Sequence, residues 1–372
     1  MKQHSFLTAL CLLFAAVPIT GQTIKSSMEF APSEHWVKPV EKPYREEICL
    51  NGTWAFAPVQ LPVGFKEGET PAPALPGVNE VRFSKTPIRI PSPWNVNSFA
   101  DKNGLGGDHR TYPSYPKEWE SIKMGWLQKK FTVPASWKGK RIQIHFEAVA
   151  GKTDIYVNGK AVGDNFDIFM PFDIDITDAV KFGQENTLNV GIQKSSLFDD
   201  RKSPLGRRTY QGGSFWGQHI AGIWQDVYLV ALPQTRVADV YIQPIVNKNT
   251  LEVEVTLRND ENKSVEVNIS AAAYPWISKA GKTVLTAANP SSQLGSQAAL
   301  QMPTQKVTIP AGKEIKTTLK TTVDNKLKLW SPSSPNLYGL VVRTSVNGKT
   351  NDSKYTRFGW RQTELKDGKF WL

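Results

Sequence analysis

Cysteine is nearly missing. Of 372 residues only Cys11 and Cys49 carry a thiol, and Cys11 falls in a stretch that reads as a leader. No internal disulfide is therefore expected, and the fold must rest on its apolar cores with Cys49 as a lone buried thiol. Long apolar runs are scarce too. The run at 6–19 follows Lys2 and His4 and ends near Gly21, the layout of a secretory signal peptide and too short for a bilayer. Residues 1–21 are thus expected to be removed and the protein exported, to the periplasm or the medium. No later stretch approaches the ~18 apolar residues a membrane helix needs, so no membrane span is expected. The formal charge is +11, or +10 without Lys2, but the basic residues are scattered. No basic run interleaved with aromatics points to nucleic acid. The five histidines are dispersed, without HExxH or a close pair, and neither a Gly-x-Ser-x-Gly elbow nor a phosphate-cradling glycine loop occurs. Metal, serine-hydrolase and nucleotide chemistry have no support, and no cofactor is expected.

Short strands of alternating polarity are what the sequence does contain. The clearest spans Asp154-Ile155-Tyr156-Val157-Asn158-Gly159-Lys160-Ala161-Val162-Gly163. Ile155 and Val157 alternate with polar neighbours, and Asn158-Gly159 supplies the two φ > 0 residues of a tight type I′ hairpin. Phe172, Ile174 and Ile176 alternate with Asp173 and Asp175 before Thr177-Asp178, which predicts a capped helical turn over 179–181. Further strands are expected at 48–56, 126–133, 142–146, 187–193 and 223–232, while 88–95 leads into an irregular stretch. Long Pro- and Gly-rich loops fill 58–80 and 97–123, and segments of that length are usually functional or mobile. With no helix of three turns patterned, residues 22–232 read as an antiparallel β-sandwich.

Past Pro233 the aromatics thin out. Strands recur at about ten-residue spacing, at 251–257, 265–269, 306–309, 314–319 and 337–346, as in an immunoglobulin-like sandwich. Asn347-Gly348 closes another hairpin, and 280–301, rich in Ser, Ala, Asn and Gln, reads as a flexible insertion.

Six motifs in order then carry a resemblance: Ile90-Pro91-Ser92-Pro93-Trp94-Asn95, the strand at 126–133, Tyr156-Val157-Asn158-Gly159-Lys160, Phe172-Asp173-Ile174-Asp175-Ile176-Thr177, Glu185-Asn186-Thr187-Leu188 and Gly222-Ile223-Trp224-Gln225-Asp226-Val227. They resemble the N-terminal sugar-binding domain of glycoside hydrolase family 2, the family of β-galactosidases, β-glucuronidases and β-mannosidases. Leu329-Trp330-Ser331-Pro332 through Tyr338 is similar to the end of that family's immunoglobulin-like domain. Arg357-Phe358-Gly359-Trp360-Arg361, followed by Asp367-Gly368-Lys369-Phe370-Trp371-Leu372, resembles the entry to its (β/α)₈ barrel. The resemblance implies an all-β chain: a signal peptide at 1–21, a jelly-roll, galactose-binding-like sandwich at 22–232, an immunoglobulin-like sandwich at 233–357 and a truncated barrel stub at 358–372. It implies retaining hydrolysis of β-glycosides by two carboxyl groups. In the family both glutamates lie on barrel strands, so no residue of this chain inherits a catalytic role.

The site residues implied by the resemblance are therefore binding residues. In the β-galactosidase branch an acidic residue in the loop after the strand matching 188–193 reaches the sugar; here Asp199 and Asp200 occupy that loop. The bland alternative is a solvated turn in which Asp200 pairs with Arg201 or Lys202. Trp216, before the last strand of the first domain, offers a ring for a sugar face or for packing on the barrel. Glu118 with Glu120 makes a poor glycosidase pair, since two carboxyls on one extended segment do not face one another across a sugar. Asp173, Asp175 and Asp178 have calcium-loop spacing but lack its glycine turn and distal acid, and read as a polar face. Carbohydrate is the expected partner, with a separately encoded barrel chain or a homo-oligomer left open. A free-standing carbohydrate-binding or scaffold protein is the alternative to half of a split enzyme.

Overall fold

A computed structural model of the chain describes residues 45–68, 71–95, 115–198, 220–278 and 292–372. Two antiparallel sandwiches follow one another. The first comprises β1 (Glu46–Cys49), β2 (Gly52–Val59), β3 (Ile88–Ile90), β4 (Met124–Thr132), β5 (Arg141–Phe146), β6 (Val149–Val157), β7 (Lys160–Asp167), β8 (Phe172–Asp175), β9 (Glu185–Gln193), β10 (Gly222–Ile223) and β11 (Val227–Leu232). One sheet runs β1-β11-β5-β8 and the other β10-β6-β9-β4-β2-β3, with β7 on β6. The alternation read from sequence sets the faces: Ile142, Ile144 and Phe146 of β5 are buried between the sheets, while Arg141, Gln143 and His145 point away. Aromatic rings fill the centre. Phe56 lies 5.0 Å from Trp94 and 4.6 Å from Trp119, each ring worth roughly 2 to 3 kcal/mol of burial. The hairpin forms as expected, with φ of 52° at Asn158 and 81° at Gly159.

Two expected strands each prove to be two. The chain switches sheets at Leu50-Asn51-Gly52 and again at 224–226, so β1 and β2, and likewise β10 and β11, lie in different sheets. Sequence alternation continues through both breaks and hides them. The two crossings satisfy each other: buried Asn51 accepts from Val227 N–H and donates to Asp226, both at 3.0 Å, and Leu50 N–H donates to Val227 C=O at 2.8 Å. The helical turn expected over 179–181 is also corrected, to a hydrogen-bonded turn at 177–179 in which Ala179 N–H donates to Ile176 C=O at 2.9 Å. Thr177 does not cap it, because its hydroxyl accepts the Ile142 N–H at 2.9 Å, while Asp175 takes the Thr177 N–H at 2.9 Å.

The aspartates of β8 are spent on β5. Arg141 binds Asp175 at 2.6 Å, and His145 Nδ1 lies 2.8 Å from Asp173 with Glu147 3.7 Å from Nε2. Burial alone would lower the imidazole's pKa, but the two carboxylates outweigh it and raise it to about 9. A folded-state value above the unfolded 6.5 gives stability that is complete below about pH 6.5 and is lost as pH rises through about 9. Melting temperature is expected to fall across that window by the equivalent of about 2 kcal/mol, allowing for screening at a partly open site. His145→Gln should flatten the profile; an unchanged slope in that variant would exclude His145 as its origin.

The second sandwich comprises β12 (Thr235–Ile245), β13 (Thr250–Asn259), β14 (Val265–Ser278), β15 (Ser292–Leu294), β16 (Leu300–Gln301), β17 (Gln305–Ile309), β18 (Glu314–Thr322), β19 (Leu337–Val346) and β20 (Lys349–Gly359). Its sheets run β12-β13-β18 and β15-β14-β19-β20, with β16 and β17 also on β14. The insertion expected at 280–301 is partly sheet, since β15 and β16 pair along the far half of β14; residues 279–291 lie outside the described residues. Asn347 and Gly348 have φ of 49° and 75° and turn β19 into β20. A separate hairpin follows, β21 (Glu364–Lys366) and β22 (Lys369–Trp371). It leaves Leu365, Phe370 and Trp371 exposed, Phe370 by 86%.

Candidate functional site

Asp199, Asp200 and Trp216 lie outside the described residues, so the site is built here from the stems that flank them. Register places those stems together. Met124 and Lys152 both pair with Gln193, Gly151 pairs with Asp167, and Gly222 pairs with Ala150. One end of the first sandwich therefore gathers residues 122–124, 149–152, 166–170, 193–198 and 220–224. The segment 92–95 is bound to the same end: Ser92 N–H donates to Ile223 C=O at 2.9 Å, Trp94 N–H to Ala221 C=O at 3.1 Å, and Ala221 N–H to Asn95 Oδ1 at 3.0 Å.

An apolar tip occupies one side of this end. Asp167 Oδ1 accepts the N–H groups of Ile168, Phe169 and Met170 at 2.5, 2.8 and 3.0 Å. Asp readily closes such local turns. Ile168 is pinned inside, and its C=O accepts Trp224 Nε1–H at 2.7 Å. Phe169 and Met170 are left 52% and 64% exposed. Phe169 meets Trp224 edge-on at 5.9 Å, and Phe166 lies 5.0 Å from Phe198, the residue immediately before Asp199.

Charge occupies the other side. Lys123 is ion-paired to Glu67, which also takes a hydrogen bond from Ser196. Burial pushes the Glu67 carboxyl up, but Lys123, Ser196 and Lys194 together hold it below its usual range. The Lys194 pKa is lowered as well: burial first, then repulsion from Lys123, disfavours its charged form, with Glu67 offsetting part. Sequence reasoning missed this group because Glu67, Lys123 and Lys194 are far apart in the chain and no local pattern marks them. Glu118 and Glu120 sit on a 3₁₀ turn, Lys117–Ser121, whose Trp119 is buried while both glutamates face solvent. The segment is thus a turn where an extended stretch was expected, and neither carboxylate faces another across a cleft. A groove of about 500 Å³ opens elsewhere, lined by Thr53, Ser84, Lys85, Gln128, Lys129 and Lys130. It sits at the opposite end, where β2 leaves β4 to pair with β3. Among the described residues no three His, Cys, Asp or Glu side chains could hold a metal ion, and no helix is long and apolar enough to cross a membrane. Exposed rings on one side and an ammonium pair on the other suit binding through one apolar face and one polar group.

The fold defines a protein of two consecutive β-sandwiches, a jelly roll and an immunoglobulin-like unit. Residues 48–233 match the family model described as glycosyl hydrolases family 2, sugar binding domain, and residues 235–361 match glycosyl hydrolases family 2. The chain belongs to glycosyl hydrolase family 2. A β-glucuronidase of Formosa agariphila is 28% identical over 303 residues, 77% of this chain and 28% of that protein. A β-galactosidase of Thermoanaerobacter pseudethanolicus is 27% identical over 266 residues, 71% of this chain and 32% of that one. The crystal structure of a Bacteroides uniformis β-glucuronidase superposes with a TM-score of 0.60 at 20% identity, over 86% of this chain and 33% of that chain, a likeness of fold. The chain spans about a third or less of the length of these relatives.

Proposed function

We propose that this chain is the non-catalytic N-terminal region of an exported family 2 glycosidase, supporting a catalytic barrel and shaping the mouth through which a β-glycoside enters. The carrying observation is the hairpin of β21 and β22. A two-stranded hairpin is marginal in water by itself, and this one holds Leu365, Phe370, Trp371 and Leu372 all more than half exposed. Such a surface asks for a covering unit. In this reading a barrel covers it, either the continuation of the chain or a separate chain acting in trans, and the same exposed rings favour the second arrangement as much as the first. The Phe169-Met170 tip and the Lys123-Lys194 pair line the approach to the ligand, and Asp199, Asp200 and Trp216 remain the residues proposed to contact it. Export rests on the leader at 1–21.

Purified residues 22–372 are expected to leave 4-nitrophenyl β-glucuronide and β-galactoside uncleaved, because in this reading both catalytic carboxyls belong to the barrel and not to the two sandwiches. Measured turnover by this chain alone would overturn the non-catalytic reading. Mass spectrometry of the exported protein should find Gln22 as its first residue.

A further inference from the structure

One tetrapeptide occurs twice in the chain, as Val157-Asn158-Gly159-Lys160 and as Val346-Asn347-Gly348-Lys349. Each copy makes the two-residue turn of a hairpin, β6 into β7 and β19 into β20, with φ of 52° and 81° at Asn158-Gly159 and of 49° and 75° at Asn347-Gly348. Local sequence and backbone are thus matched, and only the surroundings differ. Asn158 is half-buried, and its amide is held at both ends: Nδ2 donates to Ala179 C=O and to Asn186 Oδ1, both at 2.8 Å, and Oδ1 accepts the Thr187 N–H at 3.0 Å. Asn347 and Gly348 are exposed, and among the described residues the Asn347 amide has no hydrogen-bond partner. Another Asn-Gly pair, Asn51-Gly52, is locked like the first copy: Asn51 is 1% exposed, accepts from Val227 N–H and donates to Asp226. Asn103-Gly104 lies outside the described residues.

Asparagine before glycine is where a chain most readily loses a side-chain amide, because glycine has no Cβ to keep its nitrogen from the asparagine Cγ. The glycine nitrogen gives its proton to base and attacks Cγ. The N–Cγ bond forms, the Cγ–Nδ2 bond breaks and ammonia leaves, and water then opens the succinimide ring to aspartate or isoaspartate. The ring closes only after the asparagine side chain has turned away from its partners. At roughly a factor of five for each hydrogen bond released, the bonds on Asn158 hold its reactive population about a hundredfold below that of Asn347. We propose that Asn347 is a site of spontaneous deamidation in the folded protein, through the Gly348 nitrogen, while Asn158 and Asn51 are kept intact by the hydrogen bonds of the first sandwich. The product carries an added negative charge. As isoaspartate it also carries an extra backbone carbon, which a tight two-residue turn does not fit. The β19-β20 turn therefore ages, and the β6-β7 turn of the same sequence does not.

The test keeps the purified full chain in warm, mildly alkaline buffer, once folded and once in concentrated urea. Each Asn-Gly peptide is followed by mass spectrometry, with isoaspartyl methyltransferase labelling as a second readout. In the folded chain Asn347 is expected to convert at least about tenfold faster than Asn158 or Asn51. In urea Asn158 and Asn347 should convert at the same rate, since their neighbours match. Folded-state rates at Asn158 and Asn347 within about twofold of each other would overturn the proposal. So would an Asn347 that stays intact in the folded chain while the urea sample converts, because the turn itself would then be the protection. Asn186→Ala, which takes one partner from Asn158, should speed conversion there about fivefold and leave Asn347 as it was. An unchanged Asn158 rate in that variant would show that hydrogen bonds are not the lock and would overturn the assignment. If Asn186→Ala does not fold, the folded and urea rates of the unaltered chain decide alone.

Discussion

Asn186→Ala should lower the melting temperature of the first sandwich by about 10 °C. Asn186 is 1% exposed and uses its whole amide: Oδ1 accepts from Lys181 N–H at 2.7 Å and from Asn158 Nδ2–H at 2.8 Å, and Nδ2 donates to the C=O groups of Lys181 and Gln184 at 2.9 and 3.0 Å. Asn158, in turn, donates to Ala179 C=O at 2.8 Å and accepts the Thr187 N–H at 3.0 Å while sitting at a hairpin position with φ of 52°. One amide thus ties the β6-β7 hairpin to the turn after β8 and to the start of β9. Alanine would leave several buried backbone and amide groups unpaired, a loss of about 3 kcal/mol. For a unit of this size each kcal/mol moves the midpoint by roughly 2 to 4 °C. Asn186→Gln should do little better, since the longer arm misplaces both ends. A midpoint shift below ~3 °C would mean that water replaces the amide.

A change of similar size is expected at the joint between the sandwiches. Asp352 of β20 is 3% exposed. It accepts from Arg45 Nε at 3.2 Å and Nη2 at 2.9 Å, and from Val237 N–H at 2.8 Å, while Arg45 Nη2 also donates to Val237 C=O at 2.7 Å. Arg45 immediately precedes β1, so one bidentate pair clamps the entry of the first sandwich onto two strands of the second. Asp352→Ala strands a guanidinium that is mostly covered and leaves the Val237 N–H unpaired, at a cost of about 3 to 5 kcal/mol. Scanning calorimetry should show the two sandwiches separating into distinct transitions. Arg45→Met added to Asp352→Ala should cost little more than Asp352→Ala alone, because the two residues act as one unit. Strictly additive losses, or a single unshifted transition, would show that the clamp is not what couples the sandwiches.

Strands buried on one face were readable from the sequence because burial forces a period of two: β5, β6 and β13 follow their apolar positions closely. Turn chemistry was readable where only special residues fit, as at Asn158-Gly159 and Asn347-Gly348. What escaped was whatever alternation does not encode. β20 reads Lys-Thr-Asn-Asp-Ser-Lys-Tyr and gains its place from pairing with β19 and from Asp352; β12 carries Pro244 and a bulge near Ala238. The sheet switch at Asn51 depends on a partner 175 residues away, which no window along the chain contains. The candidate site divides in the same way. Acidic and aromatic residues between 199 and 219 could be singled out by chain position, but the Glu67-Lys123-Lys194 group exists only once β4 and β9 have paired.

One consequence of the strand order concerns pulling forces. β1 and β11, the first and last strands of the jelly roll, are antiparallel neighbours, with Glu46 opposite Ala231 and Cys49 opposite Tyr228. The chain enters and leaves the domain through adjacent positions, so tension applied along the polypeptide opens this pair from its Glu46-Ala231 rung inward, one rung after another, rather than shearing the whole ladder together. A chain pulled through its two ends would yield there first, peeling away the strand and the Arg45 clamp while the aromatic centre behind them stays shut.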